Sequence, residues 1–131
     1  MFSPAAMLLS FVIHAADPPI PPVDLCGPCL PTADVPRAIE KALDGSPEQA
    51  RALAHHFDQI GEFDKGLFWS GIALENGDED SRWNYAYRLY ARGGTYDLRR
   101  AIYHLKILQG TGDSRATELR AEIEEKLESA Q

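Results

Sequence analysis

From Asp34 onward the chain is a succession of helix-period apolar patterns, each closed by glycine, and no stretch alternates apolar and polar residues as a half-buried strand would. This punctuation restricts the region to an all-α fold. A first helix is predicted with Asp34 as its N-cap, Pro36 in its first turn and Val35, Ile39, Ala42 and Leu43 on its apolar side, stopped by Gly45. Ser46, Pro47, Glu48 and Gln49 then read as a capping box opening a helix from Pro47 to Gln59, and Gly61 breaks it. A third helix runs from Glu62 to Glu75 and closes at Gly77. A fourth runs from Asp80 to Arg92 and turns at Gly93 and Gly94, and a fifth from Asp97 to Gln109 ends at Gly110 and Gly112.

The helices repeat in pairs. Shifted by 32 positions, Gly45 falls on Gly77, Leu53 on Tyr85, Ala54 on Ala86 and Phe57 on Leu89. After a longer second turn the shift becomes 35. Glu62 then matches Asp97, Lys65 matches Arg100, Gly66 matches Ala101, Trp69 matches His104, Ala73 matches Leu108 and Gly77 matches Gly112. Small residues recur where helices must approach closely, and large apolar ones where the space between hairpins must be filled.

These positions resemble the Sel1-like repeat, a relative of the tetratricopeptide repeat whose unit is a helical hairpin. The first copy reads Glu62, Lys65, Gly66, Trp69, Ala73 and Gly77, and the second reads Asp97, Arg100, Ala101, His104, Leu108 and Gly112. His104 and Leu108 depart from the aromatic and small residues usual at those places, which predicts looser packing in the second copy. The resemblance implies a short right-handed α-solenoid of two antiparallel helical hairpins over residues 34–131. It also implies a polypeptide as the partner. The first helix is expected to cap one end. A last helix with Leu119, Ile123 and Leu127 at steps of four, backed by Glu118, Glu122, Glu124, Glu125 and Glu128, is expected to cap the other.

Upstream, Ala5 to Ala16 is an apolar run too short to span a bilayer and of the length of a signal-peptide core, although no Lys or Arg stands near Met1. Residues 1–16 are therefore read as a signal peptide and the protein as periplasmic in a Gram-negative bacterium. An uncleaved membrane anchor is the alternative. Residues 17–33 form a linker, rich in proline at Pro18, Pro19, Pro21 and Pro22, that contains the tetrapeptide Cys26, Gly27, Pro28 and Cys29. Active-site pairs of this spacing need a strand before them and a helix after them. Here proline precedes Cys26 and Leu30–Pro31 follows Cys29, so a structural disulfide is expected, with a redox-active pair as the rival.

The charge of −7 disfavours nucleic acid as a partner. Nine carboxylates between Asp44 and Asp80 face only Arg51 and Lys65, whereas Arg88, Arg92, Arg99 and Arg100 follow against the single acid Asp97. The two zones are expected to attract each other across solvated faces or to match a charged partner. His55 and His56 are adjacent and point apart on a helix, so no metal site is expected. No nucleophile with a base and no phosphate-cradling loop is present, so neither catalysis nor a cofactor is expected. Trp83, Tyr85, Tyr87 and Tyr90 crowd one short helix that cannot bury them all. Trp83, Tyr87, Arg88, Tyr90 and Arg92 are therefore the expected partner-binding residues. The functional expectation is a protein-protein interaction module, in its sharpest form an immunity protein that neutralises a secreted toxin. The alternatives are a thiol-disulfide redox protein and a cell-envelope assembly factor.

Overall fold

The computed structural model describes residues 29–131. The expected signal peptide, most of the linker and Cys26 lie outside them, and with Cys26 the expected Cys26 to Cys29 bridge. A single 3-10 turn at Thr32–Asp34 leads into six helices, which are α1 (Val35–Leu43), α2 (Pro47–Gln59), α3 (Phe63–Glu75), α4 (Ser81–Arg92), α5 (Thr95–Gly110) and α6 (Ser114–Ser129). The described region is all-α. Each helix packs on the next, and α1 also touches α3.

Every turn between these helices holds one glycine at positive φ: Gly45, Gly61, Gly77, Gly93 and Gly112. The backbone there enters a left-handed region that costs a side-chain-bearing residue about 1 kcal/mol or more, so glycine reverses the chain where another residue would extend the helix. The other two predicted stops differ. Gly94 is the N-cap of α5, and Gly110 is its last helical residue.

The starts differ from expectation in detail. Ser46 caps α2 as predicted, its Oγ accepting the Gln49 N–H at 3.2 Å. The return bond of a capping box is absent, because the Ser46 N–H is already taken by the Lys41 carbonyl at 3.0 Å. Asp34 precedes α1 without a side-chain cap, since the chain enters from the 3-10 turn. Leu43 was expected on the apolar side of α1 but is exposed at its last turn, and Ala38 is buried with Ala42 instead.

The interior is two clusters joined through α3. The first gathers Ala38 and Ala42 of α1, Ala50, Leu53, Ala54 and Phe57 of α2, and Trp69 and Ala73 of α3. The second gathers Leu67 of α3, Ala86 and Leu89 of α4, Leu98, Ala101 and Leu105 of α5, and Ala116, Leu119 and Ile123 of α6. α3 is thus covered on two sides, with Leu67 in one cluster and Trp69 and Ala73 in the other, while Phe63 and Phe68 stay exposed. Burying each large side chain here stabilises the fold by about 1.5–3 kcal/mol. The end helices do what their sequence predicts: α1 closes the first cluster with alanines, and α6 closes the second with Leu119 and Ile123.

Polar clamps fix the hairpins in register. Asn76 Nδ2, at the end of α3, donates to the carbonyls of Ala42 and Ser46 at 2.8 and 3.1 Å, pinning the turn between α1 and α2. Asp78 bonds Arg51 of α2 at 3.1 Å and accepts from Ser81 Oγ at 2.7 Å, tying the entry of α4 to the previous hairpin. On α6, Arg115 in the first turn lies over the Trp83 ring and Lys126 in the last turn lies over the Tyr90 ring. Trp83 and Tyr90 are near the two ends of α4, so α6 runs parallel to α4, as the first helix of a third hairpin would.

Candidate functional site

A groove of about 950 Å³ opens where the start of α3 meets the second half of α4. The hairpin turn at Gly61 contributes Gly61, Glu62 and Phe63 to its wall. Leu67 forms the buried base, and Ala91 adds a small side chain opposite. Phe63 and Tyr87 also line it and are 70% and 50% exposed, an arrangement that leaves two aromatic faces in water. Asn84, one turn before Tyr87 and Arg88, makes no hydrogen bond among the described residues, so its amide offers both a donor and an acceptor.

The charges around the groove are largely spoken for. Arg88 Nε donates to Asp58 Oδ2 at 2.7 Å and its Nη2 bonds the same oxygen, joining α4 to α2. Asp58 fits there because residue 66 is glycine. A Cβ at that position would overlap the carboxylate, whose Cγ lies only 3.0 Å from where it would stand. Arg92 Nη2 donates to Asp97 Oδ1 at 2.8 Å, and Nη1 reaches Asp64 at 3.3 Å. The Arg92 guanidinium holds the Asp97 carboxyl below the usual carboxylate range through that hydrogen bond. Lys65 lies 3.2 Å from the Glu62 carboxylate and over the Phe57 ring. The groove therefore presents aromatic and amide surface within a rim of mutually paired ions.

Of the five residues expected to meet a partner, Tyr87, Arg88 and Arg92 line this groove. Trp83 and Tyr90 do not. Trp83 stacks on Tyr87 with ring centroids 6.2 Å apart, Tyr90 leans on Tyr87 from the other side at 5.8 Å, and the Tyr90 hydroxyl donates to Glu122 of α6. Both rings pack against the second apolar cluster and act as braces for Tyr87. Phe63 and Asn84 were missed by the sequence reading. Phe63 carried a signal, because it is a large apolar residue in the first turn of α3 that the repeat does not require to be buried.

The repeat-signature residues sit at matching places in the two hairpins. Gly66 and Ala101 are both buried at the close approach, and Trp69 and His104 are both buried one turn later. Ala73 is fully buried, whereas Leu108 is only partly so. Gly77 and Gly112 both have positive φ. Lys65 and Arg100 are exposed and each covers an aromatic ring, Phe57 and Tyr103 respectively.

His104 is strongly perturbed by its place in the second hairpin. Arg82 Nη1 lies 2.9 Å from its Nδ1, which places the single proton of the neutral ring on Nε2. Nε2 has no partner among the described residues. The rings of Tyr85 and Tyr103 meet it edge-on, each at 5.0 Å. Burial first, then the charges of Arg82 and Arg100, lowers its pKa to about 4 against a weaker pull from Glu79.

His55 is exposed and His56 half-buried, and among the described residues no group of three or more His, Cys, Asp or Glu is placed to hold a metal ion. No helix among the described residues is long and apolar enough to cross a membrane. Compared with protein-family models, curated proteins and solved structures, the chain matches none significantly.

Proposed function

We propose that this protein is a periplasmic protein-binding module that takes a polypeptide segment of its partner into the groove between α3 and α4. The observation that carries the reading is Tyr87, half exposed in the groove yet braced on both sides by Trp83 and Tyr90. A ring held in one orientation by its neighbours loses little side-chain entropy on binding, and Tyr is among the residue types that dominate interface energies. Asn84 beside it suits a peptide backbone, which needs one donor and one acceptor. Kinship with Sel1-like repeats is part of the proposal. It rests on the matched burial of Gly66 with Ala101 and of Trp69 with His104. The sharpest form is an immunity protein that blocks a secreted toxin, because a domain this small suits occlusion of one partner better than organisation of many.

Affinity capture from periplasmic extract with the full chain tests the reading. Wild type is expected to retain a single saturable partner. Tyr87→Ala should lower its affinity about tenfold or more, with circular dichroism unchanged. Capture that is undiminished in Tyr87→Ala, or no partner at micromolar wild-type protein, rules the groove out as the binding site.

A further inference from the structure

The basic zone of the sequence is divided by the fold into two groups with different fates. Arg82, Arg88 and Arg92 each pair with a carboxylate of the chain itself. Arg99, Arg100 and Lys106 of α5 form no ion pair among the described residues, although carboxylates outnumber cations across the protein. At about 100° per residue these three share one side of α5 with Tyr96 and Tyr103, within an arc of roughly 120°. Tyr96 is 87% exposed and Tyr103 is 50% exposed. The Arg100 guanidinium lies 4.5 Å from the centre of the Tyr103 ring, a cation–π contact that joins a cation and an aromatic on this face. From Tyr96 to Lys106 the stripe is about 15 Å long, at about 1.5 Å per residue.

We propose that this outer face of α5 is a second interaction surface, distinct from the groove, that docks an acidic segment of a partner polypeptide. Arg and Tyr together are an interface composition, and a guanidinium matches a carboxylate with two parallel hydrogen bonds. The net charge of the protein does not forbid this, because charges beyond about 8–10 Å are largely screened at physiological ionic strength and these three cations are not neutralised by an ion pair among the described residues. Other anionic surfaces fit less well. A nucleic-acid duplex carries about one charge per 1.7 Å and would extend past this short stripe onto the acidic remainder of the molecule. An anionic bilayer gains about 1 kcal/mol per basic residue, so three cations without exposed aliphatic side chains on the same face give weak attachment. A polypeptide that places two or three Asp or Glu beside an apolar residue within about 15 Å matches both the length and the chemistry.

The test uses the full chain and a random glutamate–tyrosine copolymer as probe, at low ionic strength. The double variant Arg99→Glu/Lys106→Glu is compared with Arg37→Glu/Lys41→Glu, which changes the net charge equally on α1. The α5 pair is expected to weaken copolymer binding about tenfold or more, and the α1 pair less than about twofold. Tyr96→Ser alone should weaken it several-fold, and it serves as the second variant if the double reversal fails to fold. Tyr87→Ala should leave copolymer binding unchanged, which separates this surface from the groove. The proposal is overturned if wild type does not bind the copolymer, if the two charge reversals act alike, or if vesicles of phosphatidylglycerol and phosphatidylcholine are bound in preference to the copolymer.

Discussion

In the first hairpin the buried position one turn after the close approach is filled by Trp69, 7% exposed in a cluster of Ala, Leu and Phe side chains. In the second hairpin the same position holds His104, 5% exposed, with Arg82 on one ring nitrogen and nothing on the other among the described residues. The close approach itself is also built differently. Gly66 leaves room for the Asp58 carboxylate and so for its pair with Arg88, whereas Ala101 meets its neighbours through a methyl group. One backbone repeat thus supports two kinds of interior, an apolar one whose polar tie lies at its edge and a second with an imidazole inside it. The first owes its stability to burial that does not depend on pH. The second loses stability when His104 takes up a proton.

The largest effect should come from exchanging the residues at the close approach. Gly66→Ala displaces Asp58 and strands Arg88, so a loss of about 3 kcal/mol is expected in urea unfolding. Ala101→Gly adds backbone freedom and removes one buried methyl, for about 1–2 kcal/mol. If the two substitutions cost the same, the Asp58 to Arg88 tie does not distinguish the hairpins.

Acidification should expose the second difference. The folded-state pKa of His104 is lowered to about 4 from the ordinary 6.5, so the unfolded chain takes up the proton first. Its contribution is complete above pH 6.5 and is lost progressively as the pH falls from 6.5 toward 4. About 2 kcal/mol should be gone by pH 5. His104→Phe, which restores an aromatic residue at the place of Trp69, should flatten the unfolding free energy across this window. Asp97 and Glu79, whose carboxyls are held low by Arg92 and Arg82, give way only at lower pH. An unchanged slope in His104→Phe would show that another group is responsible.

The smallest contrast lies between two arginines eleven residues apart in sequence. Arg88→Ala breaks a partly buried pair and should cost about 2 kcal/mol. Arg99→Ala removes an exposed cation with no ion pair and should stay within about 0.5 kcal/mol. Thermal melts of the two variants side by side are enough to see it.

Much of the candidate site was legible in advance. The crowding of Trp83, Tyr85, Tyr87 and Tyr90 on one helix required an exposed aromatic, and Tyr87 is that residue. Trp83 and Tyr90 lie outside the groove, which nothing in α4 alone reveals, because α6 returns parallel to it and contacts them through Arg115, Glu122 and Lys126. The contrast between Trp69 and His104 was visible as a departure from the repeat, but its consequence was not. Looser packing was expected at His104 and Leu108; the structure buries the imidazole as fully as the indole, while Leu108 is only partly buried where Ala73 is fully so.

Helical period, capping residues and glycines that can take positive φ were enough to set the number of helices, their approximate bounds and the pairing of hairpins, because these follow from local chemistry. The acidic and basic zones were legible too, but whether they meet each other or a charged partner was left open by the sequence. Which cation meets which carboxylate between different helices was decided by tertiary structure. Arg88 lies within reach of Asp58 thirty residues away, while Arg99 and Lys106 form no ion pair among the described residues. The reason is geometric. An ion pair needs its partners within about 4 Å, and that distance depends on how helices far apart in sequence pack.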